Sequence, residues 1–182
     1  LPAAQVTALS ARIAALPKVG DVLQGPFGGI ELTRHGDDLV VVALRPVSRD
    51  DYQRFARATS RPAALCRERA SLLRIVKPRD WQSPGFEQSA GDPVVCVSWA
   101  DAVAYAHWLQ QQTGERYRLP RNGELAAAGG NGSRRVSQWL DACKGDCNTR
   151  IASGTSWRDG KTRPLDATRG YDDVGFRLVR DE

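Results

Sequence analysis

The chain has 182 residues, 41% hydrophobic and 26% charged, a length that lets one domain bury roughly 70% of its unfolded surface and a balance that excludes wholesale disorder. Its net charge of +5 comes mainly from arginines scattered among 21 acidic residues, with no basic run and no nucleic-acid motif, which argues against a nucleic-acid partner. No apolar run approaches the 18 or so residues needed to cross a bilayer.

Val6, Leu9, Ile13 and Leu16 alternate in steps of three and four, which predicts a helix from about Pro2 to Leu16, ended by Pro17. Residues 1–20 therefore read as an N-terminal helix or connector, and 21–182 as the domain proper. The helix either lies on its own domain or forms a stalk to something upstream. The sequence starts at Leu1 and contains no methionine, so it reads as a processed form or a piece of a longer protein.

From Gly28 to Leu44 the chain reads as a hairpin: Ile30-Glu31-Leu32 alternates, His35-Gly36-Asp37-Asp38 supplies the turn, and Leu39-Val40-Val41-Val42 is apolar and β-branched. Ser48 with Asp51 then forms a capping box for a helix whose apolar face is Tyr52, Phe55 and Ala56. A long aperiodic connection from Cys66 to Asp92 follows, of the kind that is usually functional or cross-linked.

Val94 to Val97 reads as a short buried strand. Ser98 and Asp101 open a helix whose inner face carries Trp99, Ala102, Ala106 and Leu109, and Gly114 stops it in a left-handed conformation. Arg116 to Leu119 alternates as a strand, and Asn122 caps a short helix through Ala128. Short strands, few helices and long loops make an α+β domain.

Several separated stretches then carry a resemblance. They are P-V-S-R-D-D-Y-Q-R-F at Pro46 to Phe55, R-D-W-Q-S-P-G-F at Arg79 to Phe86, P-V-V-C-V-S-W-A-D-A at Pro93 to Ala102, R-Y-R-L-P at Arg116 to Pro120, G-T-S-W-R-D-G at Gly154 to Gly160, and D-D-V-G-F-R-L-V-R at Asp172 to Arg180. In this order they resemble the formylglycine-generating enzyme, or sulfatase-modifying factor, family. The resemblance implies that family's irregular C-type-lectin-like fold over about Gly28 to Glu182.

The family's aerobic enzymes oxidise a substrate cysteine with a copper(I)-binding cysteine pair placed just before the G-F-R stretch, and thiolates suit copper(I) because it prefers soft ligands. The matching interval here, Arg158 to Val174, contains no cysteine. The family's calcium word corresponds to Arg134-Arg135-Val136-Ser137-Gln138-Trp139, where arginine and glutamine replace oxygen ligands. His35 and His107 are the only histidines, too few and too isolated for a nonheme iron site. The segment that builds much of the family's substrate groove is shortened between Leu125 and Arg134. No catalytic residue, metal or cofactor is expected.

Cys66, Cys96, Cys143 and Cys147 permit three complete pairings in an oxidising compartment, or half a zinc site, or free thiols. Resemblance to family members with cysteines at these places implies Cys66–Cys96 and Cys143–Cys147.

The expected function is a non-catalytic, periplasmic or extracellular ligand-binding or sensor module. It resembles domains attached to bacterial serine/threonine kinases, and its parent chain would be anchored in the membrane. The alternatives are a divergent metal-dependent oxidase or hydroxylase, and a protein-interaction module presenting Trp81, Trp139 and Trp157. The ligand, a small molecule or a protein, is expected near Trp139, Trp157, Arg158, Asp159 and Arg177, where the family cleft lies. Arg158 and Arg177 could grip carboxylate or phosphate in bidentate fashion. Alternatively, Arg177 is buried and pairs with Asp172 or Asp173.

Overall fold

A computed structural model describes residues 3–26, 28–67, 78–127, 136–158 and 160–182. Helix α1 (Ala3–Ala14) leads into β1 (Val22–Gly25), β2 (Gly28–His35) and β3 (Asp38–Ala43). The expected hairpin is β2–β3, in register from Ile30 opposite Ala43 to His35 opposite Asp38. β1 adds a strand that the sequence does not announce, pairing Val22 with Glu31 and Leu23 with Ile30.

Helix α2 (Arg49–Thr59) starts where Ser48 Oγ accepts the Asp51 N–H, and it buries Tyr52 and Phe55. Strand β4 (Cys66–Arg67) precedes α3 (Trp99–Thr113). Helix α3 has the full capping box of Ser98 and Asp101, and Gly114 ends it at φ 77°. The α3 cap forms as read; at α2 only the Ser48 half of the expected box is seen, and Ser48 Oγ also donates to Asp51 Oδ2 at 2.5 Å. Such caps satisfy orphan amide groups within one turn of chain.

The remaining elements are β5 (Tyr117–Arg118), α4 (Glu124–Ala127), β6 (Ser137–Lys144), β7 (Thr149–Ser153), β8 (Arg163–Asp166), β9 (Gly170–Tyr171), β10 (Val174–Gly175) and β11 (Val179–Asp181). One sheet runs β1-β2-β3-β11-β5, a second runs β10-β6-β7-β8, and β4 pairs with β9 alone. The C-terminal strand thus closes the first sheet between β3 and β5, while the preceding residues seal the second.

Helices α2 and α3, the second sheet and Tyr117 of β5 pack into the main core, while Val40, Val42 and Val179 of the first sheet form a second cluster and Ile30, Leu32 and Val41 a third. Tyr52, Phe55, Trp81, Tyr105 and Phe176 are all buried within the main core. Tyr52 meets Trp81, Phe55 and Phe176 edge to face at centroid distances of 5.2, 5.4 and 6.4 Å, a geometry favoured by ring quadrupoles. Burial raises the phenol pKa of Tyr52 and Tyr105 far above the usual tyrosine range.

Two expectations need correction. Val94 to Val97 is fully buried but is not a strand: Cys96 adopts φ 60°, which breaks the extended run. Its N–H reaches Tyr171 O at 2.9 Å while that of Val94 reaches Val47 O at 2.9 Å. Pro93 keeps only an isolated bridge to Ser48.

Asn122 does not serve as the cap of α4; it lies in a turn with Gly123. Instead, Glu124 Oε2 accepts the Arg121 N–H at 2.6 Å. Ala128 lies outside the described residues. On α1, Val6 and Ile13 are exposed, as is Leu16 just beyond its end.

Candidate functional site

The parallel pairing of β10 with β6 sets Val174 beside Ser137, and Ser137 donates its N–H to Asp173 O at 2.9 Å. This fixes Asp172 and Asp173, both buried, beneath the β7–β8 connection that carries Trp157 and Arg158. Arg158 donates through Nε to Asp172 Oδ1 at 3.1 Å and through Nη2 to Oδ2. Arg163, on β8, donates to both oxygens of Asp173 at 2.8 and 2.7 Å. Ser156 Oγ donates to Asp173 at 2.8 Å and accepts the Arg158 N–H at 3.1 Å.

The bond to Asp172 holds the Arg158 guanidinium pKa above its usual range, against the opposing effect of burial. Its Cζ lies 4.2 Å from the centre of the Trp157 ring, within cation–π range. Trp157 Nε1 donates to Asp172 O at 3.4 Å. The indole is therefore fixed by Arg158 and by its own N–H, yet it remains 53% exposed.

Of the residues expected at the site, the structure brings Trp157 and Arg158 together. Asp159 lies outside the described residues. Trp139 is fully buried on β6, donating Nε1 to Val97 O at 3.0 Å, so it supports the fold from within. Arg177 is also buried, and loss of solvent lowers its guanidinium pKa. The guanidiniums found on Asp172 and Asp173 are those of Arg158 and Arg163. Trp81 is buried as well, so the face of three exposed tryptophans expected for an interaction module does not exist.

Sequence reasoning missed a second component. A cleft of about 550 Å³ is lined by Arg49, Gln82, Pro84, Phe86, Glu87, Gln88 and Ser89. Phe86 joins it to the first component, meeting Trp157 edge to face at 6.1 Å. Arg49, at the start of α2, clamps the loop by donating Nη1 to Gln88 O at 3.0 Å and Nη2 to Gln82 O at 3.2 Å. Gly85 turns the chain at φ 98°, where a Cβ would fall 2.0 Å from Arg79 Nη1. The available signal was the aromatic residue after Pro-Gly in R-D-W-Q-S-P-G-F; what was missing was its distant partner.

The residues do not fit the copper(I) chemistry that the resemblance brings to mind. All four cysteines are consumed in the disulfides Cys66–Cys96 and Cys143–Cys147, leaving no thiolate. The interval Arg158 to Val174 carries arginine–aspartate pairs instead. Of the calcium word, Arg134 and Arg135 lie outside the described residues, and Gln138 spends its Nε2 on Val136 O at 2.8 Å. Among the described residues no group of three or more His, Cys, Asp or Glu side chains could hold a metal ion.

Residues 40–163 match the family described as "Sulfatase-modifying factor enzyme 1-like domain". No curated protein matches the sequence. Among solved structures, PvdO from Pseudomonas aeruginosa superposes with a TM-score of 0.70 at 17% identity, over 92% of this chain and 100% of that one. CarF gives 0.56 at 20% identity, over 84% and 96%, and Treponema denticola variable protein 1 gives 0.57 at 12% identity, over 91% and 100%. At these identities the likeness establishes the fold alone.

Proposed function

This chain belongs to the sulfatase-modifying factor enzyme 1-like family, and we propose that it is a member that recognises a ligand without oxidising it. The observation that carries this reading is the content of the Arg158–Val174 interval. Where the resemblance leads one to expect two thiolates, the chain builds Arg158–Asp172 and Arg163–Asp173 pairs, and its cysteines are all bridged elsewhere. The half-exposed, rigidly held Trp157 beside Arg158 and Phe86 supports binding, since fixed aromatic and arginine side chains concentrate binding energy in recognition surfaces.

The two disulfides support an exported setting, periplasmic or extracellular. Among the described residues no helix is long and apolar enough to cross a membrane. The exposed apolar stripe of α1 supports a connector role toward the rest of a signalling protein, such as a membrane-anchored serine/threonine kinase.

The test is anaerobic titration with copper(I), followed by oxygen-consumption measurements on cysteine-containing peptides. The reading requires neither stoichiometric tight copper binding nor turnover; either one overturns it.

A further inference from the structure

We infer that the cleft beside Trp157 takes a neutral, hydroxyl-rich ligand, a short saccharide, stacked on Phe86 and Trp157. This rests on the reading of the domain as a recognition module and adds the class of ligand. The argument begins with charge. Arg49 and Glu87 face the same cleft with opposite signs, and the charge of Arg158 is balanced by Asp172 directly behind it. An anionic ligand needs net positive charge to offset its own desolvation, and here Glu87 lines the cleft together with Arg49 while Asp172 pairs with Arg158.

Hydrogen-bonding capacity points the same way. The Gln82 amide, the Glu87 carboxylate and the Ser89 hydroxyl place donors and acceptors within one short loop. Hydroxyl groups both donate and accept, so a polyol can use such a lining, whereas an apolar ligand would leave it unpaired.

The rim supplies the complementary surface. Phe86 and Trp157 are 40% and 53% exposed and meet at 6.1 Å with an interplanar angle of 76°, forming a corner against which the apolar C–H face of a sugar ring can pack. Peptide main chain would look for an open strand edge, but loop 82–89 contains no strand. Arg49 already holds the loop through two carbonyls, so little ordering accompanies binding.

The experiment titrates the chain with cellotetraose, maltotetraose and chitotetraose, with inorganic phosphate and tetra-alanine as comparison probes, followed by tryptophan fluorescence and calorimetry. At least one tetrasaccharide is expected to saturate the signal, with affinity falling about tenfold or more in Phe86→Ala and in Glu87→Gln. Glu87 is exposed, so its variant reports on binding even if Phe86→Ala disturbs the loop. Absence of saturation by all three saccharides overturns the inference, as does binding that survives both substitutions. Saturable binding of phosphate or tetra-alanine with no saturation by the saccharides would overturn the saccharide assignment and leave the recognition reading standing. Turnover of a cysteine peptide would instead overturn the recognition reading itself.

Discussion

Arg158 and Asp172 form a pair in which the two partners are unequally exposed: the carboxylate side chain is 3% accessible and the guanidinium 24%. The two therefore respond differently to loss of their partner. Arg158→Ala strands a buried carboxylate, which is strongly destabilising, whereas Asp172→Asn leaves a guanidinium that can still reach water. Urea unfolding is expected to show Arg158→Ala losing about 2–3 kcal/mol and Asp172→Asn at least about 1 kcal/mol less than that. Equal losses would contradict this account of the site's support.

The disulfides differ in loop length and in surroundings. Cys66–Cys96 spans 30 residues and Cys143–Cys147 only 4; Cys96 is fully buried, while Cys143 lies exposed at the end of β6. In the chain-entropy description, removal of the first by paired Cys→Ala substitutions costs roughly 3–4 kcal/mol and removal of the second about 2 kcal/mol or less. Intact mass with and without reductant should differ by four hydrogens in the native protein. The order of the two losses in chemical unfolding then checks which bridge holds the fold.

Gly170 explains why the first bridge sits where it does. It pairs with Cys66 across β4 and β9, and a Cβ on it would lie 2.4 Å from both the carbonyl carbon and oxygen of Cys96. Backbone cannot yield as a flexible side chain can, so Gly170→Ala should destabilise by about 3 kcal/mol or more through overpacking. Slowed formation of Cys66–Cys96 during oxidative refolding is the accompanying measurement. Wild-type refolding of the variant would show that the contact is not fixed.

The sensitivity of the fold to acid should centre on the closure of the first sheet. Arg118 donates to both oxygens of Glu124 at 2.8 Å and to Asp181. Burial pushes the Glu124 carboxyl up, but Arg118 and the Arg121 N–H outweigh it and hold its pKa below the usual range. The hydrogen bond from Arg118 likewise lowers that of Asp181. A carboxyl whose folded pKa lies below its unfolded value stabilises above the unfolded value, and that stability is lost as pH falls through the folded one. The urea midpoint is therefore expected to hold from about pH 7 to 5 and to fall below about pH 4.5. Glu124→Gln should flatten that fall; an unchanged slope would assign the acid response elsewhere.

The hairpin, helices α2 and α3 and their Ser caps were legible because each is decided within a few residues by periodicity and by local hydrogen bonds. Val94 to Val97 was misread because an apolar run signals burial and not extension; the left-handed Cys96 and its bridge to Cys66 set the backbone there. β1 escaped notice since its Val-Leu-Gln-Gly acquires meaning only from β2 alongside. Trp157 and Arg158 could be named from their stretch, but the cleft could not. Arg49, Phe86 and Trp157 come from three distant segments, and only tertiary packing brings them onto one face.

Trp139 and Trp157 provide the sharpest separation of fold from site. Trp139 is wholly buried, bonded to Val97 O and set edge to face against Tyr171 at 6.0 Å. Its replacement by alanine empties a core position and should cost about 3–5 kcal/mol. Trp157 is held by Arg158 and Asp172, but more than half of its surface faces solvent, so alanine there should cost about 1 kcal/mol or less. A surface indole that contributes little to stability and is nevertheless fixed by two partners is suited to contact something outside the chain. Thermal unfolding of the two variants, paired with the saccharide titration, tests this division. Trp157→Ala should leave the melting temperature within a few degrees of the parent while abolishing the fluorescence response. A large loss of stability in Trp157→Ala would mean that the ring is structural, and the exposed corner with Phe86 would then have no claim to be a recognition surface.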